Sequence, residues 1–132
     1  MTRILIVEDN QTNLALMEYL LRAFGYEVLT AHDGEHGIAM AARDLPDLIL
    51  MDLQLPGISG FESAARIREA SSATQVPIIA VTAFAMVGDR ERVLAEGFDG
   101  YISKPITPET FVSEIEAYLP PGRRAVRGDP RP

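Results

Sequence analysis

Four short apolar runs each hand over to polar residues that can do chemistry. Ile4–Val7 is followed by Glu8-Asp9, and Asp47–Met51 by Asp52. Ile78–Val81 is followed by Thr82, and Asp99–Ile102 by Ser103-Lys104-Pro105. If these runs are parallel strands, Glu8, Asp9 and Asp52 share one sheet edge, where three carboxylates repel one another. A hard divalent cation such as Mg²⁺, or Mn²⁺, offsets that repulsion, because it prefers oxygen ligands and needs only a few carboxylates. Lys104, the only lysine among twelve basic residues, brings a second positive centre. Thr82 adds a hydroxyl donor. Carboxylate nucleophile, cation, ammonium and hydroxyl together make a site for a transferring phosphoryl group. Singly, each has a plainer reading. Asp52 would end a strand, Glu8-Asp9 or Asn10 would cap a helix, Thr82 would be a structural hydroxyl, and Lys104 would be solvated. The chemistry rests on their meeting.

The elements that must position them alternate along the chain. Ile4–Val7 reads as a buried parallel strand. From Gln11 to Phe24, Leu14, Met17, Leu20, Leu21 and Phe24 recur at helical spacing, with Gly25 as the residue just past the helix end. Glu27–Ala31 reads as a strand, Asp33-Gly34 as a turn and Glu35–Arg43 as a helix. Asp47–Met51 is the third strand. Gly60–Glu69 follows the Pro56-Gly57 break as a helix. Ile78–Val81 is the fourth strand, and Ala85–Glu96 a helix ending at Gly97. Asp99–Ile102 is the fifth strand. The spacing predicts a last helix over Thr107–Leu119, with Thr107 as N-cap and Pro108 at its first position. Five strands alternating with five helices predict an α/β fold, a flavodoxin-like (βα)5 doubly wound parallel sheet with strand order 2-1-3-4-5. Ligands of such sheets bind outside the C-terminal strand ends, where the polar residues fall.

At 132 residues the chain suits one domain. Residues 1–119 are expected to form it, and the Pro/Arg-rich stretch 120–132 to be a flexible tail. No apolar run approaches the roughly 18–20 residues of a membrane span, and Thr2-Arg3 runs straight into a strand, so no signal peptide is expected and the predicted location is cytoplasmic. Without cysteine, disulfides, thiolate metal sites and thiol catalysis are excluded. The formal net charge is −7, with 18 acidic and 8 basic residues in 1–119 and four arginines against one aspartate in 120–132. An acidic body argues against nucleic acid as the main ligand. His32, His36 and most methionines read as surface and core packing respectively.

Glu8-Asp9, Asp52, Thr82 and Lys104-Pro105, set in ILIVEDN, PDLILMDLQLPGISG, VPIIAVTAFAM and GYISKPI, resemble the receiver domain of two-component response regulators over residues 3–119. The strings are most similar to stand-alone receivers of the DivK type in alphaproteobacterial cell-cycle control; similar strings also occur in receivers of hybrid histidine kinases and longer phosphorelay proteins. The resemblance implies that Asp52 is the phosphoacceptor. It implies Mg²⁺ held by the side chains of Asp9 and Asp52, by Glu8 through water and by the Gln54 backbone carbonyl. It implies that Lys104 contacts the phosphoryl oxygens, that Thr82 moves to hydrogen-bond them, and that Tyr101 then turns inward, changing the face made by the fourth helix, fifth strand and fifth helix. The Lys104–Pro105 bond is expected to be cis. Glu8 departs from the commoner Asp-Asp pair. A histidine kinase or phosphotransfer protein is the expected donor, docking on Asn13, Leu16, Pro105 and Ile106, and a downstream protein the expected reader.

Two rivals remain from other classes. A metal-dependent phosphatase with an aspartate nucleophile needs an acid two residues later, and Gln54 stands there. A flavin carrier of the same fold wants a Gly/Ser/Thr-rich loop after strand one, whereas this loop begins Glu-Asp.

Overall fold

The structure is a computed structural model that describes residues 2–70, 76–83 and 88–124. The chain runs β1 (Arg3–Val7), α1 (Gln11–Ala23), β2 (Glu27–Ala31), α2 (Gly34–Asp44), β3 (Leu48–Asp52), α3 (Gly60–Glu69), β4 (Ile78–Thr82), α4 (Asp89–Ala95), β5 (Gly100–Ser103) and α5 (Phe111–Glu116). All pairings are parallel, in the order β2-β1-β3-β4-β5. This is the predicted flavodoxin-like sheet.

Both faces of the sheet are covered, which is why its three central strands are near-continuous apolar runs. Side chains alternate between two cores. Ile4, Ile6, Leu48, Leu50, Ile79, Val81 and Ile102 face the layer of α1 and α5, around Phe111 and Ile115. Leu5, Val7, Ile49, Met51, Ile78 and Ala80 face the opposite layer, with Ala64, Ile67, Val93 and Phe98.

Local chemistry fixes the helix starts. Asn10 Oδ1 accepts from Asn13 N at 2.9 Å, Asp33 Oδ1 from His36 N at 2.8 Å, and Ser59 Oγ from Glu62 N at 3.1 Å. Each cap satisfies an amide that has no partner inside its helix. Gly25, with φ 95°, follows α1 as predicted.

Several boundaries differ from the sequence reading, most by a single residue. β3 runs one residue later, because Asp52 itself pairs with Val81 in the ladder. α5 starts at Phe111 rather than at Pro108. The amides of Thr110 and Phe111 both turn back to the Thr107 carbonyl, so 107–110 is a tight turn, and Thr110 replaces Thr107 at the N-cap. At the other end, Tyr118 N and Leu119 N bond three residues back, to Ile115 O and Glu116 O, which tightens the last turn out of the α-helix. α4 begins at Asp89 after Gly88, and the rest of its predicted first turn, with Met86, lies partly in 84–87, outside the described residues. Beyond α5, Pro121–Arg123 forms a 3₁₀ turn tied to the body by an Arg123–Asp47 ion pair at 3.1 Å and by Arg124 Nε donating to Glu116 O at 2.9 Å. Of the predicted tail, residues 125–132 lie outside the described residues.

Candidate functional site

The C-terminal strand ends meet as the topology requires. Glu8 follows β1, and its amide donates to Ala31 O at 3.0 Å, extending the ladder one residue. Its side chain therefore turns inward and is 1% exposed. Asp52, the last residue of β3, is 4% exposed. Thr82 ends β4 and is fully buried. Lys104 is placed by its amide, which donates to Thr82 O at 2.8 Å, and its peptide bond to Pro105 is cis, as expected. Asp9, on the loop into α1, is exposed.

One ammonium stands between two buried carboxylates. Lys104 Nζ lies 3.0 Å from Glu8 Oε1 and 3.5 Å from Asp52 Oδ2. The Glu8 contact is one of charge only, since Oε1 receives no well-aligned hydrogen bond. The other oxygens are anchored by backbone: Glu8 Oε2 accepts from Asn10 N at 3.2 Å, and Asp52 Oδ1 from Gln54 N at 3.1 Å. Burial pushes the Asp52 carboxyl up to about 7, and a hydrogen bond and charge from Glu8 push the same way. The Gln54 amide and Lys104 pull it down without winning.

Glu8, Asp9 and Asp52 each offer a carboxylate oxygen, and these atoms lie within 4.8 Å of one another. The donor set fits a hard divalent cation: all oxygen, more negative charge than Lys104 neutralises, and one buried oxygen without a hydrogen bond.

Tyr101, in β5, is half-buried against the core on the α4 side, and burial and the Asp89 charge raise its phenol above the usual range. Gln54 is exposed beside Asp52. Of the predicted docking residues, Pro105 is exposed, Asn13 and Leu16 are partly exposed, and Ile106 is buried in the α1–α5 core. Ile106 is thus a packing residue, and its loss would disturb the fold before any docking. His32 and His36 are exposed, as read from sequence.

Two functional features escaped the sequence reading. The first is the Glu8–Lys104 pairing: glutamate's extra methylene gives it reach, a cue present in the residue type. The second is Gly60. A Cβ there would sit 2.2 Å from Asp52 O and 2.7 Å from Leu53 Cα, so glycine lets the start of α3 close against the Asp52 backbone. Its place in PGISG, eight residues after Asp52, was the available signal.

The family model of the response regulator receiver domain matches residues 4–116. The chain belongs to this family. Among curated proteins it is similar to the polar-differentiation response regulator DivK of Brucella anthropi, at 44% identity over 116 residues, 88% of this chain and 94% of that protein. Among solved structures it is similar to the receiver domain of sensor histidine kinase PA1611 from Pseudomonas aeruginosa, at 38% identity and TM-score 0.81, covering 89% of this chain and 96% of that one. That structure has a magnesium ion coordinated in its active-site cleft. Vibrio cholerae CheY4 superposes with TM-score 0.85 at 30% identity, covering 90% of this chain and 99% of that one. As a DivK-like receiver, the chain is a signalling switch rather than a conventional enzyme. Among the described residues, no helix is long and apolar enough to cross a membrane.

Proposed function

We propose that this receiver accepts a phosphoryl group on Asp52 from a phosphohistidine of a histidine kinase or phosphotransfer protein, as a cytoplasmic switch whose working domain is residues 1–119. The observation that carries the reading is Lys104 Nζ held 3.0 Å from Glu8 and 3.5 Å from Asp52, with Asp9 completing the acidic set. An Asp52 carboxylate oxygen bonds to phosphorus, the phosphorus–nitrogen bond of the donor breaks, and its electron pair stays on the imidazole. The product is an acyl phosphate. Glu8, Asp9 and Asp52, with the Gln54 carbonyl, would hold Mg²⁺, which supplies positive charge to phosphoryl oxygens when bound. Lys104, pinned by the Thr82 carbonyl and buried enough to be poorly hydrated, offers its ammonium to the same oxygens once they compete with Glu8. Thr82 supplies a hydroxyl from the neighbouring strand. Gln54 has no acid to give, which suits a phosphorylated state that persists over a phosphatase that turns over.

Phosphorylation would shift Thr82 and Tyr101, and with them the α4–β5–α5 face read by a downstream protein. The likeness to DivK favours a cell-cycle response regulator; the likeness to the PA1611 receiver favours a module of a hybrid kinase, and the mass of the protein in its native cell separates the two. The test of the chemistry is intact mass after acetyl phosphate and Mg²⁺, on wild type and Asp52→Asn. One added phosphoryl group on wild type alone is the expected result. Equal labelling of both, or of neither, overturns the assignment.

A further inference from the structure

We infer that the end of the sheet opposite Asp52 carries a binding site for a small aromatic carboxylate. A cavity of about 470 Å³ opens there, under the N-terminal ends of β3 and β4. That volume is in the range of small-molecule sites. Its walls come from three connections: Leu45, Pro46 and Asp47 before β3, Val76 and Pro77 before β4, and Tyr118, Pro120 and Arg123 after α5.

The apolar part of the walls is made largely of rings. Pro46 and Pro77 present rings and no N–H donor. The Tyr118 ring is seated against Gly100, where a Cβ would come within 2.3 Å of its Cζ. Leu45 is the one non-glycine residue at positive φ among the described residues, at 47°, and its side chain is left 55% exposed on the cavity rim. Leu45 takes this conformation as the C-cap of α2, where its amide donates to Ala41 O, and the helix end thereby holds its side chain at the rim.

The polar groups fix the sign of the guest. Asp47 is already engaged: Oδ2 accepts from Arg3 N at 2.8 Å, and Oδ1 pairs with Arg123 Nη1 at 3.1 Å. Arg123 is engaged through that one nitrogen among the described residues, and a guanidinium carries five N–H donors. The spare capacity is therefore for an acceptor. A cationic guest would have to displace Arg123 from Asp47. An extended peptide would need a free sheet edge, and β1, β3 and β4 are all interior strands. A flat ring between the prolines and Tyr118, with a carboxylate on the Arg123 fork, satisfies both the walls and the donors.

Benzoate is the probe, titrated at millimolar concentration into the full chain and followed by amide NMR shifts, with benzamide as the uncharged match. Shifts at Leu45, Asp47 and Tyr118, none at Asp52 or Lys104, and at least tenfold weaker binding of benzamide are expected. Arg123→Gln should weaken benzoate about tenfold. Leu45→Gly removes the αL penalty and should hold or raise the melting temperature while weakening benzoate, a split that a purely structural role would not give. No shifts around the cavity, shifts confined to Lys104, or equal binding of benzoate and benzamide overturns the proposal. The benzamide comparison on wild type decides the charge question even if Arg123→Gln does not fold.

Discussion

Asp52 is a carboxyl group that the fold makes hard to ionise, although its proposed chemistry needs it ionised. Its ordinary value is 3.8, and burial first, then Glu8, lifts it to about 7. Between those two values the folded chain holds a proton that the unfolded chain has released. The group's contribution to stability is therefore full below about 3.8 and is lost as pH rises through about 7. Asp52→Asn escapes that loss. It should stabilise the protein by on the order of 2 kcal/mol at about pH 8 and by little at about pH 4. Thermal melts of both forms across that interval check it; a gain independent of pH would show that the carboxylate is not strained in the fold. Lys104→Ala should act the opposite way. It leaves Glu8 and Asp52 without their shared cation, costing about 1–3 kcal/mol above pH 7, and abolishes labelling by acetyl phosphate. Labelling at the wild-type rate would remove Lys104 from the mechanism.

Strands, turns and one glycine deliver these groups, and they were unevenly legible. β1, β3 and β4 could be read from apolar runs buried on both faces, the sheet order from the alternation of strands and helices, and the polar residues after four of the five runs gave the site edge. The start of α5 could not, because Thr107-Pro108-Glu109 is good helix-start chemistry in isolation, while the tight turn on the Thr107 carbonyl arises from where Phe111 packs, fully buried between α1 and the sheet. Ile106 likewise reads as an exposed docking residue until α5 closes over it. The Glu8–Lys104 contact joins residues 96 apart in sequence, which no local pattern encodes. Gly60 is the element-scale counterpart: α3 reaches the Asp52 backbone only because no Cβ intervenes. Both close contacts are to main-chain atoms, which cannot rotate away as a flexible side-chain end can. Gly60→Ala should therefore cost about 2–3 kcal/mol and displace the Asp52 loop, slowing phosphorylation more than the stability loss alone explains. Urea unfolding beside initial labelling rates tests this, and a destabilised variant with wild-type labelling would confine Gly60 to packing.

At the scale of the molecule, the site is coupled to global stability, because β1, β3 and β4, which carry Glu8, Asp52 and Thr82, are also the centre of both cores. A ligand bound at that edge must stabilise the whole fold by mass action, about 2.7 kcal/mol at a hundredfold excess over its dissociation constant. Mg²⁺ should raise the melting temperature, and more at about pH 8 than at about pH 5, since metal binding needs Asp52 deprotonated and its carboxyl sits near 7. An acidic body of 18 carboxylates against 8 basic residues offers a rival cause, plain screening of repulsion by any added salt. Asp9 separates the two. It is exposed, so Asp9→Ala should leave the metal-free protein within about 0.5 kcal/mol of wild type, yet it is one of the three carboxylates within 4.8 Å of one another. Site binding predicts that Asp9→Ala loses the Mg²⁺ gain while NaCl at matched ionic strength stabilises neither form comparably. Screening predicts that the variant and wild type respond alike to both salts, and that pattern in parallel melts would take the metal away from this edge.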